Sequence, residues 1–162
     1  MTKPLRTGAV GALLDEYERA LDDLKRVIET IPDPALPFVI DAQTTNADCR
    51  SVQSVLAHVV SSGFGYATSI HNHQGHQLAR PAKVPRPTIR EYLDDLDRVF
   101  EFTARVFAEL QDADLEQLDD SRKIKTGWGQ LYDIEQLTEH AIVHVLRHRR
   151  QLEKFKVLLG VE

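Results

Sequence analysis

The sequence predicts an all-α protein, a four-helix bundle in a single domain spanning residues 1–162. Apolar residues recur every three or four positions in four long segments, which is the spacing of amphipathic helices. Proline-rich or polar connections separate these segments. The one short stretch that could be extended, residues 39–45, has no partner for a sheet. Four such helices bury their apolar faces against one another as a bundle.

The first helix is predicted from about Val10 to Ile31, where leucine, isoleucine and tyrosine keep the three-and-four spacing. Pro32, Pro34 and Pro37 follow it. Proline lacks a backbone donor and disfavours helix in the residue before it, so these prolines end the helix and begin a loop.

The second helix is predicted to begin near Asp48 or Ser51, both of which are suitable N-caps. It carries His58 off the centre of its apolar stripe, in a column of small residues that includes Ser62 and Gly65. Two orientations of His58 remain open from the sequence alone. The side chain points either into a space between helices or towards solvent.

The tract HNHQGH follows the second helix and contains His71, His73 and His76. A short histidine-rich tract can bind metal. Alternating histidines beside a glycine and before several prolines are more typical of a solvated loop end. We therefore expect this tract to bind nickel or zinc only adventitiously.

The third helix is predicted to open at Thr88, which forms a capping box with Glu91, and to continue to about Gln111. A long polar connection follows and contains Trp128, the only tryptophan. A connection of this length is often functional, so Trp128 either covers a cleft or simply plugs the end of the bundle.

The fourth helix is predicted to start after Asp133, which can form a second capping box with Gln136. It should run to about Leu159, because Gly160 is a suitable C-terminal glycine.

Two histidines of the fourth helix, His144 and His148, lie on its apolar stripe. A spacing of four places their Cβ atoms about 5 to 6 Å apart, which suits two nitrogens that bind one divalent metal. His140 lies near the edge of the stripe, where it is a supporting or surface residue. The alternative is that His144 and His148 are core residues, each hydrogen-bonded to a carbonyl or carboxylate, and bind no metal. With His58, three imidazoles would favour zinc, nickel or ferrous iron without selecting among them.

Two common metal motifs are absent. A zincin-like HEXXH motif needs glutamate at position 141, which is alanine. A ferritin-like di-iron bundle needs glutamate three residues before its histidines, where this chain has Ala141 and Val145.

The composition excludes several classes of protein. The net charge is −5, and acids and bases are interspersed, so no basic face indicates nucleic-acid binding. The single cysteine, Cys49, excludes an internal disulfide and multi-cysteine metal sites. The N-terminal segment has no apolar run of signal-peptide length, and no 18 consecutive residues are apolar. We expect a cytoplasmic protein that does not contact membranes.

The histidines and their surroundings, SVLAHVV and EHAIVHVLRHRRQ, resemble the DinB/YfiT-like metalloenzyme family over most of the chain. His58, His144 and His148 match the metal-binding histidine triad of that family. The family's last helix commonly continues from its final histidine as Arg-Gly-Gln, whereas residues 149–151 here are Arg-Arg-Gln. The family's second helix often begins Trp-Ser, and this chain has Ser51 without the tryptophan.

The resemblance implies an up-and-down-type bundle, often a homodimer, with a divalent metal near one end. Characterised relatives are thiol-dependent S-transferases and a thiol-dependent maleylpyruvate isomerase. The resemblance therefore implies a small-molecule substrate and a low-molecular-weight thiol, with the metal activating the thiol or water. The alternative is a bundle for protein interaction or stress response with a structural or vestigial metal. A third hypothesis is a metal-free binding bundle whose inward histidines are hydrogen-bonded.

Overall fold

A computed structural model describes residues 4–161. Its four long helices are α1 Gly8–Ile28, α2 Val52–His73, α3 Ile89–Phe107 and α4 Ile134–Leu159. Between α3 and α4, the strands β1 Ile124–Lys125 and β2 Leu131–Tyr132 pair as a short antiparallel hairpin. The predicted four-helix bundle is confirmed, and the hairpin is an addition that the sequence pattern did not indicate.

The ends of the helices follow local capping chemistry. The Asp133 carboxylate accepts from the Gln136 amide, and Gln136 reaches back to the Asp133 amide, so the predicted capping box of α4 is confirmed. Gly160 ends α4 with a φ of 68°, in the left-handed region that glycine enters without strain. Thr88 caps α3 through the Glu91 amide, but the Glu91 carboxylate accepts from the Thr88 hydroxyl instead of from the cap amide.

The helices are arranged so that α1 and α2 each pack against both α3 and α4. The Tyr92 hydroxyl donates to the Gln53 carbonyl, and further along the same two helices the Phe64 ring lies 5.9 Å from the Phe102 ring. Residue numbers increase together along α2 and α3, so these two helices are parallel. The order differs from the up-and-down order that the resemblance implied, and the connection between α2 and α3 must return along the length of α2.

That returning connection is the strap, residues 76–88, which has no regular secondary structure. An extended chain covers about 3.3 Å per residue against 1.5 Å in a helix, so the strap is long enough to run back along α2. Gly75 reverses the chain with a φ of 97°. The Leu78 amide then donates to Asn72, and the Arg86 amide donates to the Tyr92 hydroxyl.

The core lies between the four helices and excludes water. Every helix contributes side chains that are fully buried, among them Leu24, Leu56, Tyr92, Leu96 and Leu152. No helix within residues 4–161 is long and apolar enough to cross a membrane.

Candidate metal centre

Three histidines from two helices meet between α2 and α4, which pack side by side. His144 and His148 lie on successive turns of α4, with ring centroids 4.5 Å apart. The ring of His58, on α2, lies 4.8 Å from that of His144 and 5.1 Å from that of His148. Of the two orientations left open for His58, the structure has the one in which the side chain enters the space between helices.

The ring nitrogens of this triad converge. One nitrogen from each of His58, His144 and His148 lies within 4.8 Å of the other two, and the Nε2 atoms of His58 and His144 are 2.9 Å apart. His148 is buried, and the other two are half-buried. Within residues 4–161, no fourth histidine, cysteine or carboxylate joins the group at this distance.

Burial keeps the triad neutral at physiological pH. It lowers the pKa of His144 from 6.5 to about 3, with smaller contributions from the charges of His148 and His58. The pKa of His58 is lowered first by burial and then by the charge of His148. Burial also lowers the pKa of His148, and the hydrogen bond that its Nδ1 donates to Gln151 Oε1 acts in the opposite direction. Neutral imidazoles offer the lone pairs that a metal requires.

Two side chains outside the triad orient its rings. The Asp48 Oδ2 atom lies 3.3 Å from His58 Nδ1, and the Gln151 Oε1 atom lies 2.9 Å from His148 Nδ1. A partner at Nδ1 fixes the proton there and leaves Nε2 free as a ligand. The sequence indicated Asp48 only as a possible cap of α2, a position that Ser51 occupies. For Gln151, the indication in the sequence was its position on α4 one helical turn after His148.

The donor set fits a divalent transition metal. Metal–nitrogen bonds of about 2.0 to 2.1 Å place two ligand nitrogens roughly 3.0 to 3.4 Å apart. The 2.9 Å separation between the Nε2 atoms of His58 and His144 is slightly shorter than this range, and a small rotation of either ring would bring it into the range. Imidazole ligands suit zinc, nickel and iron better than magnesium or calcium.

A cavity of about 570 Å³ opens beside the triad, and His58 and His140 form part of its wall. Its floor consists of small residues of α2. Three of them, Ser62, Gly65 and Ser69, belong to the column that the sequence placed beside His58, and the fourth is Ser61. These side chains leave the space open next to His58.

The aromatic wall of this cavity consists of Tyr66, Trp128 and His140. The Trp128 indole stacks on the His140 ring at 5.0 Å and 24°, and the Tyr66 ring lies 5.7 Å from that of His144. Of the two interpretations of Trp128, covering a cleft is therefore the one that the structure supports. Burial is the cause of a lowered pKa at His140, which is neutral near pH 7.

The cationic wall of the cavity consists of Arg80, Lys83 and Lys125. Arg80 and Lys83 belong to the strap, and Lys125 belongs to β1. Arg80 Nη2 donates to Ser61 Oγ at 2.9 Å, and Lys83 forms an ion pair with Asp48. The sequence did not indicate this wall, because a helical pattern says nothing about the path of the strap.

A second histidine cluster lies at the far end of α2. The structure corrects the expectation of a loop here, because α2 extends through His73 and so includes His71. The rings of His71 and His76 stack at 3.8 Å with an angle of 7°, and His76 Nε2 lies 3.0 Å from Glu109 Oε2. One ligand atom from each of these three residues lies within 4.8 Å of the other two.

Comparison with known families agrees with this architecture. A comparison with curated proteins finds no match to the chain. A sequence model described as the DinB family matches residues 1–162. The match covers all four helices and the three histidines that converge between α2 and α4. The chain belongs to the DinB family.

Proposed function

We propose that this protein is a divalent-metal-dependent enzyme, specifically a thiol-dependent S-transferase. One observation supports the proposal above all: three neutral imidazoles converge, and one of them, His58, lines an open cavity. A catalytic site of three protein ligands keeps a coordination position for water or substrate.

In the proposed enzyme, His58, His144 and His148 hold the metal. A bound divalent cation would stabilise the deprotonated form of a thiol or of water near neutral pH. Asp48 contacts the His58 ring and Gln151 contacts the His148 ring, each at Nδ1, so Nε2 is the nitrogen of each ring that would bind the metal. The Trp128 indole and the His140 ring stack on each other and form one side of the cavity.

The same observations favour an enzyme over a bundle with a structural metal. A structural site is usually closed by four protein ligands. In the part of the chain that the structure describes, the group has three, and the space beside His58 is a cavity instead of packed side chains. No general base is required of the protein, because a deprotonated thiol is already the nucleophile.

The direct test is thiol transfer by the whole chain, loaded with zinc, nickel or ferrous iron in turn. The loss of N-acetylcysteine in the presence of 1-chloro-2,4-dinitrobenzene gives the rate. We expect turnover with at least one metal, no turnover after chelation, and none in His144→Ala. Equal rates in the wild type, the chelated protein and His144→Ala would contradict the proposal.

A further inference from the structure

The cavity beside the triad carries a charge opposite in sign to that of the chain. The net charge of the chain is −5, yet the charged residues that line the cavity are Asp48 and the three cations of the cationic wall. Asp48 is within ion-pair distance of Lys83. Arg80 and Lys125 have no carboxylate within ion-pair distance among residues 4–161. Two uncompensated cations in one concave space attract an anion.

The Arg80 guanidinium contacts α2. It donates to Ser61 Oγ and lies against the backbone of α2 at Gly65. A Cβ atom at Gly65 would come within 2.8 Å of Arg80 Cζ, so a larger residue there would displace the guanidinium from this position. A guanidinium has five donors in a rigid fork, and one hydrogen bond to Ser61 leaves the others available.

We infer that the cavity binds a small organic oxyanion, a carboxylate or phosphate ester with an aromatic or apolar body. The oxyanion binds to Arg80 and Lys125, the body packs against Trp128, and the opposite end of the molecule faces His58. A fork of parallel donors matches the two oxygens of a carboxylate or phosphate.

The dimensions of the cavity agree with a ligand of this class. A volume of about 570 Å³ lies within the range of about 300 to 1,000 Å³ that small-molecule sites occupy. The Trp128 indole provides a flat apolar surface, and Leu137 adds an aliphatic one. Calling this ligand a substrate rests on the proposed function. Binding of the anion can be measured without turnover.

The experiment uses the fluorescence of Trp128, the only tryptophan, as a reporter inside the cavity. The probes are benzoate, phenyl phosphate and benzamide, titrated into the zinc-loaded whole chain. Benzamide has the shape of benzoate without its charge. We expect benzoate or phenyl phosphate to bind at least about tenfold more tightly than benzamide, and the tighter of the two identifies the oxyanion. Equal affinities for all three probes would overturn the inference.

Three variants test the residues. Arg80→Gln and Lys125→Gln each remove one cation, and Gly65→Ala keeps the charge but displaces the guanidinium. We expect each to weaken binding of the anionic probe about tenfold and to leave benzamide binding unchanged. The control is Arg90→Gln, which removes an equal charge from an exposed ion pair on α3. Unchanged affinity in Arg80→Gln and in Lys125→Gln, with helix content intact by circular dichroism, would refute the assignment.

The same titration in His144→Ala separates this inference from the proposed function. If the cationic wall binds the anion, binding persists without the triad metal and still depends on Arg80. If the anion no longer binds to His144→Ala but binds to Arg80→Gln with unchanged affinity, the anion is a metal ligand and the inference fails. An inactive enzyme that binds benzoate through Arg80 would leave the inference standing and reject the transferase.

Discussion

The two histidine clusters contain similar residues in different surroundings. The triad of His58, His144 and His148 comes from the middle of two packed helices, and its rings are tilted by 56° to 75°. The second cluster lies at the end of α2, where the His71 and His76 rings are parallel. A metal bound by two imidazoles lies in the plane of each ring. Two stacked parallel rings cannot meet that condition without rotating.

The two clusters also differ in how deeply their side chains are buried. The triad is buried or half-buried, and burial lowers the pKa of each of its imidazoles, so they stay neutral and offer lone pairs to a metal. The side chains of His76 and Glu109 are 44% and 52% exposed, so water can solvate both. Ring orientation and burial, more than the number of nearby histidines, therefore make the triad the better candidate for a metal centre.

The largest expected effect is the loss of metal when the triad is broken. His144→Ala should reduce the bound metal from about one equivalent to near zero, because two of three ligands cannot hold it. Mass spectrometry of untagged protein, purified without nickel resin, measures this stoichiometry. The matched variant lacks His71, His73 and His76 and should keep its metal. Metal that is retained in His144→Ala and lost in the variant without His71, His73 and His76 would show that the second cluster is the metal site.

Removal of the orienting carboxylate should have the next largest effect. Asp48→Asn should weaken zinc binding roughly ten- to a hundredfold, because a neutral amide is a poorer partner for His58 Nδ1. Competition with a chromogenic chelator measures the affinity. Asp94→Asn, which breaks a surface ion pair on α3, is the control. Equal affinities in the two variants would show that Asp48 does not support the triad.

Chelation should lower the melting temperature of the protein. A metal that binds only the folded state at 100 to 1,000 times its Kd adds about 3 to 4 kcal/mol. Its removal should therefore lower Tm by roughly 5 to 15 °C. Calorimetry with and without EDTA measures the shift, which should be absent in His144→Ala and preserved in the variant without His71, His73 and His76. An unchanged Tm in the wild type would favour the metal-free bundle.

The metal-free protein should lose stability as the pH falls below about 6.5. The pKa of His144 is about 3 in the folded protein, below its value of 6.5 in the unfolded chain. Between these values the unfolded chain binds more protons, so the free energy of unfolding decreases with decreasing pH. Urea unfolding at pH 7, 6 and 5 measures the slope, which His144→Ala should reduce. Parallel slopes would contradict the lowered pKa.

The smallest effect is expected at the second cluster. His76→Ala removes a contact with Glu109 that is exposed on both sides, and exposed ion pairs contribute less than about 1 kcal/mol. Chemical unfolding should give a free energy within that range of the wild type, with unchanged metal content. A loss of several kcal/mol would show that the His71 and His76 stack supports the end of α2.

Local sequence signals predicted the framework well. The caps at Thr88 and Asp133 and the final Gly160 act within one helical turn, so the sequence carries them directly. The spacing of His144 and His148 placed both on one face for the same reason. Helix periodicity also located the small column beside His58, which became the floor of the cavity.

The remaining features depend on contacts between residues that are distant in sequence. The strap follows α2 because of bonds such as that between Arg80 and Ser61, and no periodic pattern encodes such a pairing. The hairpin has strands of two residues, too short to show alternation. Asp48 faces His58 only after the chain has turned between them, so its local sequence indicated a helix cap instead.

The strap lies outside the helical core, so its sequence can change independently of the helices that carry the triad. The triad lies on α2 and α4, while the cationic wall of the cavity and Trp128 come from the strap and the hairpin. Pro81, Pro85 and Pro87 restrict the backbone of the strap without helical hydrogen bonds, so its outward residues can vary while the helix core keeps its packing. Ligand selection in this architecture is therefore modular. A replaced strap would present a different chemical surface to the same three nitrogens.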